Sequence, residues 1–454
     1  MLLLSIVVFT IIQSCKVTKP YVQPPDAANA DLYRKAISSD TSNIADIPWQ
    51  KLFSDTILQS LVQQGINNNP DLTIAIARIK TAAANVLQSS MALLPSINAN
   101  AGATFQRVPA TQFGTPKAYQ VYANSSWEAD IWGKLSSAKK AALASLLQSE
   151  AYRRAVQTQL VADIATSYYS LLAYDAQLKI TQQTVENRKQ ELETIKALKE
   201  ADVVTGAAVV QSAANRYSVE ITIPDLKQNI RETENNLSIL LGKNPDTIVR
   251  SNLGVQTIDT TLASGVPLQL LANRPDVQEA EYQLRNSFEL VNVARAYFYP
   301  SFSITVTAGF SGTALSKLFL PASFFANIAG GVLQPVLDKG INKQRLAIAQ
   351  ARQEEDLTAF RKTILVAGQE VSNALYSYQA SIDKQLLRSQ QITNLAKSVE
   401  YTKLLLQYSS ATNYTDVLTS EQSLLAAQLG SINDRLQQIT AVVNLYRSLG
   451  GGWK

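Results

Sequence analysis

Two hydrophobic rhythms alternate along this chain, and each comes round twice. The first has period two. Ile97, Ala99, Ala101, Ala103 and Phe105 fall on one side of an extended strand, with Asn98, Asn100, Gly102, Thr104 and Gln106 on the other. Tyr119, Val121, Ala123, Trp127, Ala129 and Ile131 likewise oppose Gln120, Asn124, Ser126, Glu128 and Asp130. Phe302, Ile304, Val306, Ala308 and Phe310 oppose Ser303, Thr305, Thr307 and Ser311. A fourth run alternates less cleanly, because Gly330-Gly331 and Pro335 interrupt it. The pattern predicts strands over about 96–108, 118–131, 301–312 and 324–336. Each is apolar on one side and long enough to cross a bilayer at the usual β-strand tilt.

The second rhythm has period seven. From Lys134 to Glu200 there is neither Pro nor Gly, enough helix for about 100 Å at 1.5 Å per residue. From Ile341 to Tyr408 the one breaker is Gly368. Ile164, Leu171, Leu178, Val185 and Leu192 are seven apart; so are Leu357, Ile364, Val371, Tyr378, Gln385, Ile392, Val399 and Leu406. A sustained heptad seam predicts coiled-coil packing against neighbours. Each long helix turns back, at 201–206 and at 409–415, into a return helix over about 208–241 and 416–449. Gly242 and Gly450 stand where helix C-caps expect glycine. A leading helix of roughly 35 residues is predicted from near Asp55 to before Pro95, and its counterpart from near Pro267 to Tyr299.

The two halves are copies in outline. Pro70 recurs at Pro275 and Pro95 at Pro300, while Gly133 recurs at Gly340 and Tyr169-Ser170 at Tyr376-Ser377. Collinear matches over such a span predict an internal duplication, 55–242 and 267–449, joined by a linker over 243–266. The fold class is therefore mainly α with transmembrane β, a helix–strand–strand–long helix–helix unit written twice. Four strands cannot close a barrel, and open sheet edges are not tolerated in lipid. The strands must pair across subunits, and three copies would supply twelve. The long helices would then form a tube of their own, continuing an outer-membrane pore into the periplasm. A soluble coiled-coil scaffold would explain the helices but not the strand pairs that feed them.

The N-terminus and the composition narrow this further. Leu2 to Ile12 is a short apolar run, so residues 1–14 are expected to be a signal peptide. Its end, Ile12-Gln13-Ser14-Cys15, resembles a bacterial lipobox, so Cys15 would be cleaved at and acylated. No Lys or Arg precedes the run, which would place a basic n-region upstream of Met1. Tyr21 to Asp26, with Pro20, Pro24 and Pro25, reads as an extended tether within the N-terminal segment 15–54. There is no histidine and one cysteine, which excludes a Ser-His-Asp triad, a His-bearing zinc site and an intrachain disulfide. No catalytic residue, metal site or cofactor beyond lipid on Cys15 is expected. The net charge is +5 with basic residues thinly spread, so no nucleic-acid partner is expected.

Several segments match one family. Trp49-Gln50-Lys51-Leu52-Phe53-Ser54-Asp55, Asn69-Pro70-Asp71-Leu72 and Trp127-Glu128-Ala129-Asp130-Ile131-Trp132-Gly133 do so in the first half, with Ile223-Pro224-Asp225-Leu226 in its return helix. Asn273-Arg274-Pro275-Asp276-Val277 and Ala294-Arg295-Ala296-Tyr297-Phe298-Tyr299-Pro300-Ser301 do so in the second. The chain resembles the TolC-type outer-membrane efflux family, in its lipid-anchored OprM/NodT-like branch. The resemblance implies a homotrimer with a 12-stranded β-barrel, a 12-helix periplasmic tunnel and an equatorial belt from residues 20–55, 243–266 and the C-terminal end, 450–454. It implies the outer membrane of a Gram-negative cell as location. It also implies a periplasmic adaptor and an inner-membrane resistance-nodulation-division pump as partners.

The family closes its periplasmic end by drawing the helix tips together. Thr415-Asp416-Val417-Leu418 resembles its gate segment, so Asp416 would form a ring of three carboxylates. A carboxylate in a first helical turn is also favourable without any gate. Tyr408 and Tyr414 flank the gate and could link tips or simply pack. Thr419 stands where the family often has a second acid, and Ser409-Ser410-Ala411 where glycine is usual. Glu200 and Asp202 make the first tip acidic, as a solvated face would be. Trp132, Trp127, Tyr119 and Tyr122 sit near strand ends and suit a membrane interface, Trp132 best. The alternatives are a periplasmic adaptor lipoprotein, whose single hairpin fits poorly, or a dedicated metal-ion or protein export duct of the same fold. With two methionines and no histidine, nothing marks a soft-metal path.

Overall fold

Hydrogen-bond register, more than composition, decides what each strand shows to its surroundings. The computed structural model describes residues 17–24, 44–105, 117–256, 274–408 and 414–453. Cys15, the signal segment, 106–108, 257–273 and 409–413 lie outside the described residues. The chain forms two compact units. The first holds the chain up to Pro25, Ala77–Ala151 and Gln278–Lys362; the second holds Asp26–Ile76, Tyr152–Val277 and Thr363–Lys454. The helices are α1 Trp49–Leu52, α2 Thr56–Asn68, α3 Pro70–Met91, α4 Lys134–Glu200, α5 Gly206–Glu220, α6 Thr222–Leu240, α7 Pro275–Ala296, α8 Ile341–Tyr408 and α9 Tyr414–Ser448. The strands are β1 Ser96–Phe105, β2 Lys117–Ala129, β3 Ser301–Gly312 and β4 Phe324–Leu333. The order of elements therefore repeats. No helix among the described residues is long and apolar enough to cross a membrane.

In the first unit the strands form one antiparallel sheet in the order β1-β2-β3-β4. Ala101 faces Val121, Val121 faces Phe310, and Phe310 faces Phe324 across the ladders. Directly paired residues share a face, so the four alternations superpose into one apolar surface. The opposite surface carries Asn100, Asn124, Thr307 and Asn327 among others. β4 runs through Gly330-Gly331 and stops two residues before Pro335. The glycines remove side chains without breaking the ladder. Residues 17–24 are not a free tether. Lys19 donates its N–H to Asn292 Oδ1 at 3.1 Å, and Asn292 Nδ2 donates to the Lys19 carbonyl at 2.9 Å. Tyr21 packs edge-on to Phe288, 5.5 Å between centroids. The segment is extended, as expected, but docked on α7.

Each long helix starts from the same device. Asp130 accepts from the N–H groups of Leu135 and Ser136, both at 2.8 Å. Asp338 accepts from Gly340 at 3.0 Å and Asn342 at 2.9 Å. These carboxylates satisfy N–H groups that a helix start leaves without intrahelical partners. Gly133 and Gly340 take φ of 73° and 78° in the two turns.

In the second unit, Tyr168, Tyr169, Ile164 and Leu171 of α4 are fully buried against Leu58 and Val62 of α2, Leu237 of α6 and Ile439 and Val443 of α9. Each such aliphatic side chain contributes roughly 1.5–3 kcal/mol by leaving water. Every member of both heptad seams is buried or half-buried, and the polar one, Gln385, donates to Gln438 at 3.0 Å.

Two predicted helices are divided. The leading helix is α2 and α3, because Pro70 forces Asn69 out of the α region, to φ −61° and ψ 128°. The first return helix is α5 and α6, interrupted at Ile221. Pro224 has no N–H to offer the Glu220 carbonyl. The residue before each motif proline acts alike. Asn69 Nδ2 donates to the Leu240 carbonyl at 3.0 Å and Arg274 Nη1 to the Ser448 carbonyl at 2.7 Å. Each closes the end of a return helix. Gly242 and Gly450 then take positive φ, and the following N–H groups, of Lys243 and Gly451, bond back to Ser238 and Tyr446. That is the Schellman arrangement.

Candidate functional site

Two surfaces carry the sequence-predicted site residues: the sheet of the first unit and the helix tips of the second. On the sheet, Tyr119 and Trp127 lie on the apolar face, since they pair with Gly312 and Ile304. Tyr122 does not join them. It pairs with Gly309 on the polar face, and its ring meets Phe325 at 6.3 Å across that glycine. A Cβ at Gly309 would fall 2.3 Å from the Val121 carbonyl oxygen and 2.4 Å from Tyr122 Cα, so glycine is what lets the two strands approach this closely there. Of the three aromatics within β2, Tyr119 and Trp127 thus share one face and Tyr122 takes the other.

Trp127 Nε1 donates to the Leu93 carbonyl at 2.9 Å, and Trp132 Nε1 to the Pro300 carbonyl at 2.7 Å. Trp132 stacks on Tyr299 at 4.9 Å, beside a cavity of about 210 Å³ that Tyr297 also lines. Lys134, paired with Glu128, and Arg345 both lie over the Tyr297 ring, Arg345 at 3.9 Å. This collar of rings and cations sits where the strands end. Sequence reasoning alone does not single out Tyr297 and Tyr299, although it shows their motif.

At the first tip, Asp202 has a structural task. Its φ is 57°, and the bonds from Asp202 to Lys199 and from Val203 to Leu198 end α4 as a Schellman turn without glycine. Glu200 is exposed. At the second tip, α9 begins at Tyr414, which puts Asp416 in its first turn with an exposed side chain. Tyr414 is buried with Ile195 and Leu418, whereas Tyr408 is 82% exposed. Both tyrosines line a groove of about 960 Å³, together with Glu191, Lys403 and Val417. Burial, then Glu191 and Glu421, push the Tyr414 hydroxyl up to about 12. The structure therefore brings the two tyrosines together and leaves Asp416, Glu200 and Asp202 on the surface.

A polar hub that the sequence did not announce fixes the linker. Asp55 Oδ1 accepts from the Ile57 N–H at 2.9 Å, while Oδ2 accepts from Tyr168, Ser251 and Gln256 at 2.6, 2.5 and 2.9 Å. Burial opposes its ionisation, but these donors outweigh it and hold the carboxyl below its ordinary value. Arg250 bridges Asp175 of α4 and Glu234 of α6, 2.5 Å from each. The start of the linker is thereby tied to both helices.

The profile of the family described as "Outer membrane efflux protein" matches residues 61–243 and 266–451. The chain belongs to the outer membrane efflux protein family. Within it, the probable outer membrane lipoprotein SilC of Salmonella typhimurium is 29% identical over 99% of this chain and 98% of its own length. The toluene efflux pump outer membrane protein TtgF of Pseudomonas putida is 28% identical over 99% of this chain and 96% of its own. The solved structure of the outer-membrane channel OprN covers 97% of this chain and matches over 100% of its own, with a TM-score of 0.89 and 25% identity. The efflux family's matches thus span both halves and both units.

Proposed function

We propose that this outer membrane efflux protein is the exit duct of a tripartite pump, passively conducting substrates from periplasm to exterior. The observation that carries this reading is the strand register. One face of the sheet is apolar, the other polar, and β1 and β4 end the described sheet as edges. Such a sheet suits lipid on one side and water on the other, provided its edges are closed by further strands. Three copies closing a 12-stranded barrel, with helices of three duplicated chains forming a 12-helix tunnel, meet that need.

In this reading the collar around Trp132 and Tyr299 sits at the membrane interface, and Trp127 and Tyr119 face lipid. The helix ends around Asp202 and Tyr414 close a periplasmic aperture, with Asp416 as its acidic ring and Tyr408 and Tyr414 behind it. A periplasmic adaptor and an inner-membrane resistance-nodulation-division pump complete the path, and Cys15 carries the lipid anchor. The test is planar-bilayer recording with the purified full-length protein. Discrete, long-lived conductance steps are expected. Folded, membrane-inserted protein that gives no steps under any voltage or salt would refute the duct.

A further inference from the structure

Near the tips of the second unit, the helices bury more charge than their packing uses. Arg188 of α4 is 2% exposed, and none of its three guanidinium nitrogens has a hydrogen-bond partner among the described residues. Three residues on, Glu191 lies within hydrogen-bonding reach of Glu421 of α9. Glu421 is itself 2.5 Å from Lys403 Nζ of α8, with 16% of its side chain exposed. The buried hydroxyl of Tyr414 faces Glu191, Glu421 and Arg188. From α5 come the neutral Ser212, beside Tyr414, and Asn215, which accepts from Gln422 at 3.2 Å.

We propose that Glu191 holds a proton against the neighbouring Glu421 carboxylate and forms with it a pH-dependent latch between α4 and α9. Protonated, the pair bridges the two helices. Ionised, Glu191 turns to Arg188 on its own helix and the bridge is lost, the proton leaving to solvent through the groove that Glu191 lines.

Three physical arguments support the exchange. Two carboxylates in contact repel if both ionise, so one retains its proton well above the ordinary range. Lys403 sits on Glu421, so Glu191 is the one that retains it. Burial first and Glu421 second push Glu191 to about 7, against the pull of Lys403 and Arg188. A buried guanidinium without a partner is costly, and Arg188 stands at the (i, i+3) spacing at which side chains on a helix meet. The sign follows from the raised value. The latch is fully present below the ordinary glutamate range, near 4.5, and is lost as pH rises towards and through about 7. The released element is the start of α9, which carries Asp416. The latch itself stands independently of the duct; only its consequence for an aperture rests on that reading.

The test uses the full-length protein in a Cys15→Ser background, with nitroxide labels on Gln190→Cys and Thr419→Cys, both at exposed positions. The label–label distance is expected to lengthen between pH 5 and pH 8, with a midpoint near 7. Glu191→Gln keeps the side chain's shape and a donor but cannot ionise, so it should hold the short distance at both pH values; Glu421→Gln should also abolish the transition. Arg188→Met should move the midpoint upward, because ionised Glu191 loses its second partner. A wild-type distance that does not change with pH, or a Glu191→Gln variant that follows wild type, would overturn the latch. An unmoved midpoint in Arg188→Met would overturn the exchange with Arg188. Conductance recorded at the same two pH values reads the aperture separately; a moving latch with unchanged conductance would count against the aperture reading alone.

Discussion

Asp416 sits exposed in the first turn of α9, where a carboxylate is favourable whatever lies beyond it. As one of three in a narrow aperture it would also draw cations and bind divalent ions. Asp416 is the third residue of α9, so it favours the helix through its charge, by about 0.3–1 kcal/mol, which Asn forgoes. Asp416→Asn is therefore expected to cost at most about 1 kcal/mol of stability while bilayer recordings lose cation preference and divalent block. Unchanged selectivity would assign the residue to the helix start alone. Single residues are the least legible scale in the sequence. The acidic first tip reads as a solvated face, and Glu200 is one, but Asp202 holds a left-handed turn where glycine is the usual signal. Asn69 and Arg274 are visible as motif members, yet nothing in a motif says that each reaches across to a helix carbonyl.

At the scale of elements the two rhythms are nearly sufficient. Period-two alternation places all four strands to within a few residues, because side chains on a strand have no third direction to take. The register adds a sharp contrast between adjacent positions. Val306 is on the apolar face beside Ile328, and Thr305 is on the polar face opposite Ser126. Val306→Arg is expected to destabilise by about 2–4 kcal/mol if it meets lipid near the midplane, and Thr305→Arg to be tolerated. Unfolding of both variants in detergent–lipid mixtures by denaturant would show it; equal costs would contradict a two-sided sheet.

Two helices read as unbroken in the sequence because helical pattern continues on both sides of Pro70 and Pro224. A proline in a first turn fits a helix that has just restarted, and the helical pattern on both sides hides that restart. The charge layer near the tips is hidden differently. Thr181, Arg188 and Ile195 repeat every seven residues and are all buried, but a stripe containing Arg reads as a wet face until its burial is seen.

At the scale of the whole molecule, the element order repeats and the family profile matches each half. The docked segment 17–24 would leave little slack between α7 and an acyl group on Cys15, two residues before it. Intact-mass measurement of the purified protein should show a chain that begins at Cys15 and carries added lipid. An unmodified chain that keeps residues 1–14 would remove the anchor from the account.

In the proposed duct, one chain's sheet is a third of a closed wall. The strands β1 and β4 offer unpaired edges in a single chain, and lipid does not tolerate them. Light scattering coupled to size exclusion, corrected for bound detergent, tests this most directly on the full-length protein. A protein mass of three chains is expected. A well-folded single chain in detergent would contradict it.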